Sequence, residues 1–342
     1  MLLTVLQEST GRLATILFAH RFGQAIEPEC KHYRFLADVL NDGALALDVL
    51  SPVLFPSAPL PSASADYHYY GRALALCASG VLRALCGVAA GAAKASLSAH
   101  FARGGPGGNL AELNAKDGSQ ETVISLLGML AGSLFVRAVT GDGAVWAWTA
   151  VLIAIHLATN YAAVRAVQLR TLNRQRARLV LRHYLAARGA VLTPAAAAYR
   201  EHILLVPWRS GSPHVHFATS FPSSREIDAR DLARYREDLY VIVSSRGDAR
   251  QKNIFLKEGA TPRDALSAWF EALILSGEGP SPSEEVAGGS GEKRVLALEK
   301  DYARKIDALK RDGDFWKALS SAGWDLEANA LETGPAIRIR VE

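Results

Sequence analysis

The sequence predicts a mainly α fold, in which an N-terminal helical bundle embedded in a membrane is followed by a small α+β domain. Long stretches rich in Ala, Leu and Gly fill residues 1–190 and predict successive helices. Residues 191–342 instead hold short alternating or β-branched stretches such as LYVIVSSR, which predict strands. The net charge changes from +6 over the first range to −2 over the second, which together give the +4 of the chain. We therefore expect two domains, 1–190 and 191–342, with a flexible segment near 277–292.

Helices in the first domain are bounded by turn-forming residues. Ser51-Pro52 ends the second helix, the Gly-rich stretch RGGPGGN precedes the fourth, and a turn containing Gly141 and Gly143 precedes the fifth. Asn173 is the expected N-cap of one more helix, which stops at Gly189. The helices before it are predicted at residues 2–22, 28–50, 72–102, 117–139 and 144–172.

Strands and helices are mixed in the second domain. The stretches PHVHFATSF, LYVIVSSR and KNIFLKE predict three short strands, and AIRIRVE predicts an edge strand at the end. Thr261-Pro262 opens a helix that runs to about Leu275, with Pro at its first position. The stretch GEGPSPSEEVAGGSG predicts a flexible segment, and residues 292–320 predict a charged amphipathic helix.

Three apolar stretches come close to the roughly 20 residues that a membrane span needs. They are ALCASGVLRALCGVAAGAAKASLSA, TVISLLGMLAGSLFVRAV and AVWAWTAVLIAIHLA, and each contains or adjoins a charged residue or His. Two of them carry G-x-x-x-G, a spacing that lets helix backbones approach closely in lipid. Helix packing is therefore expected at Gly87 and Gly91, and at Gly128 and Gly132.

A basic cluster follows the most apolar helix and resembles the positive flank of a membrane span. No acidic residue lies between Asp142 and Glu201. The alternative is a basic soluble helix that contacts phosphate or a partner. The arginines that we expect on this flank are Arg174, Arg176, Arg178 and Arg182.

Several kinds of chemistry find no support in the sequence. Three cysteines without C-x-x-C spacing argue against a disulfide framework or a zinc ribbon. There is no P-loop, dinucleotide fingerprint or nucleophile elbow. His214 and His216 could form a metal pair but lack an evident third ligand, so neither a metal nor a cofactor is predicted. The basic cluster lacks the interleaved aromatic residues of a nucleic-acid platform.

Three stretches resemble the ROOT UV-B SENSITIVE (RUS) family. They are KHYRFLADVLNDGALALDVLSP at 31–52, NLAELNAKDGSQETVISLLGMLAGS at 109–133, and HLATNYAAVRAVQLRTLNRQRARLVLRHYL at 156–185. The resemblance covers most of residues 1–190 and implies a membrane protein without an established catalytic reaction. It also implies links to UV-B response, vitamin B6 homeostasis and a plastid or endomembrane location. An apolar lead-in expected in the family is not found before the first helix, so we expect that segment to be missing.

The first of these stretches places polar residues on one helix face. Lys31, Arg34, Asp38 and either Asn41 or Asp42 follow each other at steps of three or four residues. One interpretation is a solvated face with salt bridges along the helix. The other is a polar face turned into the bundle, where it lines a path for an ion or a ligand.

The second stretch carries polar residues around a helix start. Asp117 and Glu121 are spaced i,i+4, as are Lys116 and Gln120, and Asn114 could cap the helix. Acidic residues in a first turn also interact favourably with the helix dipole. Capping alone explains the pattern, and the alternative is the mouth of an anion- or ligand-binding site.

The third stretch carries two further pairs spaced i,i+4, His156 with Asn160 and Tyr161 with Arg165. A single histidine in an apolar helix is more often a hydrogen-bonded interior residue than a metal ligand. We expect a hydrogen-bonded pair between His156 and Asn160 inside the bundle.

Three functions remain open from the sequence. The first is a membrane-associated protein that is not an enzyme, is transporter-like or ligand-binding, and contacts lipid. The second is a peripheral scaffold that acts with a homologous RUS-family partner. The third is an enzyme that acts on a phosphate ester resembling vitamin B6, although no nucleophile and base are evident.

Overall fold

The computed structural model describes residues 2–55, 62–104, 109–187, 189–204, 212–220, 229–245, 248–277, 306, 313–334 and 337–340. It confirms a mainly helical fold with a small sheet in the C-terminal part. The chain divides into two compact units, Met1–Arg165 and Ala166–Glu342. This division lies upstream of the boundary predicted at residue 190.

The first unit contains five long helices. The second helix packs extensively against the third, and so does the first. The helices are α1 (Leu2–Ile26), α2 (Cys30–Leu54), α3 (Ser62–Gly104), α4 (Leu110–Ala138) and α5 (Asp142–Ala166).

Close approach of α1 and α3 depends on small residues where the two helices cross. A Cβ built on Gly11 would lie 3.4 Å from both the Ala84 Cβ and the Gly80 carbonyl oxygen. A Cβ on Gly80 would lie 2.7 Å from the Gln7 Cγ. Glycine at both positions therefore lets the two backbones meet at short distance.

The predicted end of α2 at Ser51-Pro52 is wrong, because the helix continues through Pro52 to Leu54. Pro52 has no N–H to give to the Asp48 carbonyl, which lies four residues earlier. The Ser51 hydroxyl donates to that carbonyl instead, at 3.1 Å. The Phe55 N–H then bonds to the Ser51 carbonyl at 3.0 Å and closes the last turn.

Other helix ends also differ from the prediction. The first helix ends at Ile26 instead of residue 22, and the third begins at Ser62 instead of residue 72. The fourth helix begins seven residues early, and its N-cap is Asn109 rather than Asn114, since the Asn109 side chain accepts from the N–H groups of Ala111 and Glu112. The fifth helix ends at Ala166 instead of continuing to Leu172. Beyond it the chain turns into the second unit, where the Arg170 carbonyl accepts from the Asp325 N–H at 2.9 Å.

The second unit combines short helices with a four-stranded sheet. Strands β1 and β4 both pair in parallel with β3, and β2 pairs with β3 in antiparallel fashion. The strands are β1 (Val215–Phe217), β2 (Tyr240–Ser245), β3 (Asp248–Lys257) and β4 (Arg338–Ile339). The helices are α6 (Arg174–Ala186), α7 (Pro194–Arg200), α8 (Ala229–Arg234), α9 (Pro262–Leu275) and α10 (Gly313–Ser321).

Local signals at the helix ends of this unit are confirmed. The Asn173 side chain caps α6 by accepting from the Arg176 N–H at 2.8 Å. Gly189 follows that helix with φ +98°, a conformation that glycine adopts without steric cost. Thr261 and Asp264 form a capping box at the start of α9. The flexible segment predicted near 277–292, apart from Gly277, and most of the helix predicted at 292–320 lie outside the described residues.

A dense aromatic core holds the second unit together. Trp269 and Phe270 of α9 are fully buried, and Trp269 stacks on Phe217 of β1 with ring centroids 5.7 Å apart. Phe315 of α10 packs edge-to-face on Phe270. Apolar residues of α6 close the same core, namely Ala177, Val180 and Leu181.

Three helices of the first unit are long and apolar enough to cross a membrane. These segments are Tyr69–Arg103 of α3, Leu110–Ala138 of α4 and Gly143–Ala166 of α5. No more than 11% of the most apolar window of any of them is buried within the protein. Their large apolar side chains therefore face outward, as in helices whose solvent is lipid.

Candidate functional site

The polar face of α2 is turned into the first unit. Lys31, Asp38 and Asp42 are all buried, with 3%, 6% and 6% of their surface exposed. The Arg34 guanidinium donates to Asp38 Oδ1 at 2.7 Å, one helical turn away. Asn41 is exposed, so the buried polar face includes Asp42 and excludes Asn41.

Helix α5 meets this face at two points. The His156 Nδ1 atom lies 2.8 Å from Asp42 Oδ2, and the Tyr161 ring packs edge-to-face on Phe35 at 5.5 Å. A carboxylate only accepts hydrogen bonds, so this contact places a proton on Nδ1 of the imidazole. The structure thus brings together residues of the first and third sequence stretches.

The other polar residues predicted on α5 bond within their own helix. Asn160 Nδ2 donates to the His156 backbone carbonyl at 2.9 Å, so the two residues are hydrogen-bonded as predicted, through the backbone of His156. The His156 imidazole contacts Asp42 instead. Tyr161 and Arg165 do pair, with a guanidinium nitrogen donating to the phenol oxygen at 3.2 Å.

The contact between Asp42 and His156 lies near the middle of both helices. Asp42 is 12 residues from either end of α2, and His156 is 14 residues after the start of α5 and 10 before its end. At 1.5 Å per residue, these positions are roughly 15–20 Å from the helix ends. That depth equals about half the thickness of a bilayer core.

Helix α3 contributes charge and a thiol to the same region. Arg83 forms an ion pair with Asp48, one and a half turns after Asp42 on α2. The Cys86 thiol lies within electrostatic range of Arg34, Asp38 and Asp42. The buried Ser79 hydroxyl donates to the Ala44 carbonyl at 3.2 Å and ties α3 to α2.

A second charged cluster joins α3 to the first half of α4. Lys94 Nζ lies 2.8 Å from Asp117 and 2.6 Å from Glu121, and all three side chains are substantially exposed. Lys116 pairs with Glu112 at 2.6 Å and not with Gln120, which is exposed like Asn114. The predicted i,i+4 acids therefore act together as partners for a lysine from another helix.

Both G-x-x-x-G motifs are open. A Cβ on Gly87, Gly91, Gly128 or Gly132 would meet nothing within 4 Å. Within the described part of the chain, these glycines make no close helix contact, and Gly11 and Gly80 provide that contact elsewhere. Packing at the two motifs remains a prediction for a second molecule.

The predicted basic flank is wrong for two of its four arginines. Arg176 is 1% exposed and pairs with Glu201 at 2.6 Å, and its Nε donates to the Thr171 carbonyl. Arg174 lies over the rings of Phe217 and Trp269 and donates to the Leu331 carbonyl. Both side chains have protein partners that neutralise or cover the charge. Arg178 is partly buried and Arg182 is exposed.

One buried carboxylate of the second unit was not predicted. Glu271 on α9 accepts hydrogen bonds from the phenols of Tyr235 and Tyr240, at 2.9 and 2.8 Å. Burial, followed by the Glu271 charge, raises the pKa of both tyrosines well above their ordinary value near 10. Both oxygens of the carboxylate are used, so this group supports the core.

Candidate metal ligands are not clustered. Among the residues that the structure describes, no group of three or more His, Cys, Asp or Glu side chains could hold a metal ion. His216 Nε2 lies 3.1 Å from the Pro213 carbonyl. Burial lowers the pKa of this imidazole.

A family comparison accounts for the helical part of the chain. Residues 1–188 match the family model described as the vitamin B6 photo-protection and homoeostasis domain, which is more than half of the chain. The chain belongs to the root UVB sensitive (RUS) family. The match ends inside the second compact unit, so the predicted boundary at residue 190 follows the family match, while the compact units divide at residue 165.

Several RUS-family proteins are similar to this chain. Protein root UVB sensitive 3 of Arabidopsis thaliana is 30% identical over 79% of the chain and 60% of its own length. RUS family member 1 of Dictyostelium discoideum is 34% identical over 58% of the chain and 36% of its length. The chloroplastic protein root UVB sensitive 2 of Arabidopsis thaliana is 26% identical over 76% of the chain and 56% of its own length. The chain thus spans less than two thirds of these relatives, and no solved structure matches it.

Proposed function

We propose that this RUS-family chain is embedded in a membrane and holds a polar ligand-binding site inside its helical unit, in the manner of a transporter and not of an enzyme. The observation that carries the proposal is the arrangement of α2, whose charged residues are buried. The helices with the most apolar composition instead expose their side chains. A water-soluble bundle has the reverse arrangement.

Charge pairing within the apolar helices supports embedding. Arg83 and Lys94 interrupt the apolar segment of α3, and unpaired charges in lipid are costly. Both have acidic partners, Asp48 for Arg83, and Asp117 with Glu121 for Lys94. The cost of placing this helix in a bilayer is therefore lower than its sequence alone suggests.

The depth of the site supports a role in ligand passage. Ligand sites of many membrane transporters lie near the bilayer midplane, where helices from different parts of the chain meet. Asp42 and His156 meet near the centres of α2 and α5. Lipid is then one partner, and a homologous RUS-family protein is a second.

Vitamin B6 homoeostasis and UV-B response are the biological context that we propose, from the description of the matched domain and the names of the relatives. A plastid is one proposed location, because root UVB sensitive 2 is described as chloroplastic. An endomembrane is the other.

Membrane fractionation of the full chain tests the proposal. Membranes are washed first with high salt and then with alkaline carbonate, and finally extracted with detergent. We expect the chain to stay in the pellet through both washes and to leave only with detergent. Release by salt or carbonate would show a peripheral protein and overturn embedding.

A matched pair of variants tests the placement of charge. Asp42→Asn keeps the shape of the side chain but removes the charge that holds His156, so it should weaken the protein while leaving membrane retention intact. Glu112→Gln changes a carboxylate that is exposed on α4 and should change neither stability nor membrane retention. Equal stability of the two variants in detergent would show that the Asp42 charge plays no part in the interior.

The scaffold alternative has less support. It requires the segment around α6 to present a basic surface to lipid or an acidic partner. Arg174 and Arg176 are committed to aromatic rings, a carbonyl and Glu201 within the second unit. Arg182 remains exposed for such a contact.

A further inference from the structure

One buried oxygen of the charged face of α2 lacks a partner. Asp38 Oδ1 accepts from Arg34, but Oδ2 is buried and has no hydrogen-bond donor among the described residues. The Asp38 side chain is only 8% exposed. A buried carboxylate oxygen without a donor is costly, because a charge taken out of water needs a compensating interaction.

The charges around this oxygen do not balance. Three carboxylates face two guanidinium groups, with Asp38 on Arg34 and Asp48 on Arg83, which leaves Asp42. Asp42 meets the His156 imidazole in place of a guanidinium. The cluster therefore holds one carboxylate more than it holds guanidinium groups. Glu29, the N-cap of α2, and Lys31 precede the cluster and are opposite in sign.

Groups from three helices surround the carboxylates of Asp38 and Asp42. Asp38 and Asp42 lie one turn apart on α2, so their Cβ atoms are about 5–6 Å from each other. Cys86 on α3 lies within electrostatic range of both carboxylates. His156 on α5 contacts Asp42. A bound cation would satisfy the free Asp38 oxygen and offset the carboxylate that has no guanidinium partner.

We propose that Asp38 and Asp42 bind a small monovalent cation, either an alkali metal ion or the ammonium group of an organic amine. The inference rests on the proposed function, since it names the chemistry of the ligand that the helical unit takes. Carboxylate oxygen atoms suit both kinds of cation. A phosphate or other anion would meet two buried carboxylates and be repelled.

The test uses the full chain in mild detergent at constant ionic strength. Thermal unfolding is followed while N-methyl-D-glucamine, a cation too bulky for the site, is replaced by sodium, potassium or methylammonium. A saturable rise in Tm of roughly 2–4 °C is expected with at least one of the three. A response to sodium or potassium alone identifies an ion site, and a response to methylammonium alone identifies an amine site.

Three variants locate the response. Asp38→Asn should abolish it, and Glu112→Gln on α4 should leave it unchanged. Arg34→Gln removes the positive charge that pairs with Asp38 and frees its second oxygen, so it should lower the half-saturating concentration severalfold. That gain separates a binding role from a structural one, because loss of a merely structural ion pair lowers Tm without increasing the cation response.

The outcomes also separate the two proposals. Absence of a saturable response in the unaltered chain, or its survival in Asp38→Asn, would overturn the cation site even if the chain stays in carbonate-washed membranes. Release by carbonate would overturn embedding, while the cation response could still be measured on the released protein.

Discussion

The two compact units differ in the side chains that make up most of their interiors. The second unit buries large rings such as Trp269, Phe270 and Phe315. The first unit buries small residues and charges, for example Ala37, Ala89, Asp38 and Asp42. The large apolar side chains that the described chain exposes all lie in the first unit, except three: Tyr199, Leu204 and Leu239.

The contrast agrees with the proposal that the two units have different solvents, water for the second and lipid for the first. Burial of rings is the response to water, and it stabilises the second unit in roughly the way expected of a soluble domain. In lipid there is no hydrophobic force between helices, so small residues and polar contacts hold them together. Ser79 and the crossing of Gly11 with Gly80 are contacts of that second kind.

The largest difference in stability is expected between truncating a buried ring in the second unit and truncating an exposed leucine in the first. Trp269→Ala should lower the free energy of unfolding of the second unit by about 3–5 kcal/mol, because it empties a fully buried site. Leu127→Ala, on the exposed side of α4, should change stability by less than about 0.5 kcal/mol. Hydrogen exchange read by mass spectrometry on the full chain in detergent gives both values. Similar losses in the two variants would mean that α4 is packed against another protein.

Removing one acidic residue from an ion pair should also cost more stability in the second unit than in the first, although less than the loss of a buried ring. Glu201→Gln leaves the Arg176 guanidinium buried without its counter-charge and should cost about 3 kcal/mol. Glu121→Gln removes one of the two carboxylates that pair with Lys94, and because Asp117 still pairs with this lysine, the change should cost much less stability than Glu201→Gln. Chemical denaturation of the two variants against the unaltered chain measures the difference. A larger cost at Glu121 would show that its ion pairs are shielded from water in the membrane.

Alkaline pH should weaken the second unit. The pKa values of Tyr235 and Tyr240 are raised in the folded protein, so the unfolded state loses these protons first as pH rises. Their contribution to stability is complete below about pH 10 and is lost progressively above it. Unfolding monitored between pH 9 and 12, with tyrosinate absorbance as the reporter, checks this. The double variant Tyr235→Phe/Tyr240→Phe should show a shallower decline, and an unchanged decline would contradict the assignment.

The smallest effect concerns glycine in the helices of the first unit. Gly128→Ala should stabilise α4 by about 0.5–1 kcal/mol, because alanine is the better helix former and nothing lies within 4 Å of its Cβ. Gly80→Ala should gain nothing, since its Cβ would lie 2.7 Å from the Gln7 Cγ and force that side chain to move. Thermal unfolding in detergent resolves the sign of the difference. Destabilisation by Gly128→Ala at high protein concentration alone would indicate that a second molecule packs on the G-x-x-x-G motif.

Residue patterns predicted most of the elements and one half of the site. Helical spacing put Lys31, Arg34 and Asp38 on one face, and the structure shows that this face is buried. Caps at Asn173 and Thr261 were evident because their signals are local. The continuation of α2 through Pro52 was not evident, since it depends on the Ser51 hydroxyl replacing a lost backbone donor.

Contacts between distant parts of the chain were the ones that sequence reasoning missed. Lys94, Arg83 and Glu201 are single charges whose partners lie 23 or more residues away. Helical periodicity relates residues three and four apart, so it cannot identify such partners. The absence of acids between Asp142 and Glu201 was read as a basic flank, yet Glu201 is itself the partner of Arg176.

The residues that match the family and the residues that form the first compact unit end at different positions in this chain. The match ends at residue 188, yet Leu172 and α6 belong to the aromatic core that the later sheet completes. A fragment cut at the end of the match would carry α6 without that core and Arg176 without Glu201, so it should aggregate when expressed. A cut near residue 166 would leave both cores whole. A gene fusion or truncation that follows only the family match would therefore divide the second unit. Fusion points that preserve folding should lie about twenty residues earlier, near residue 166.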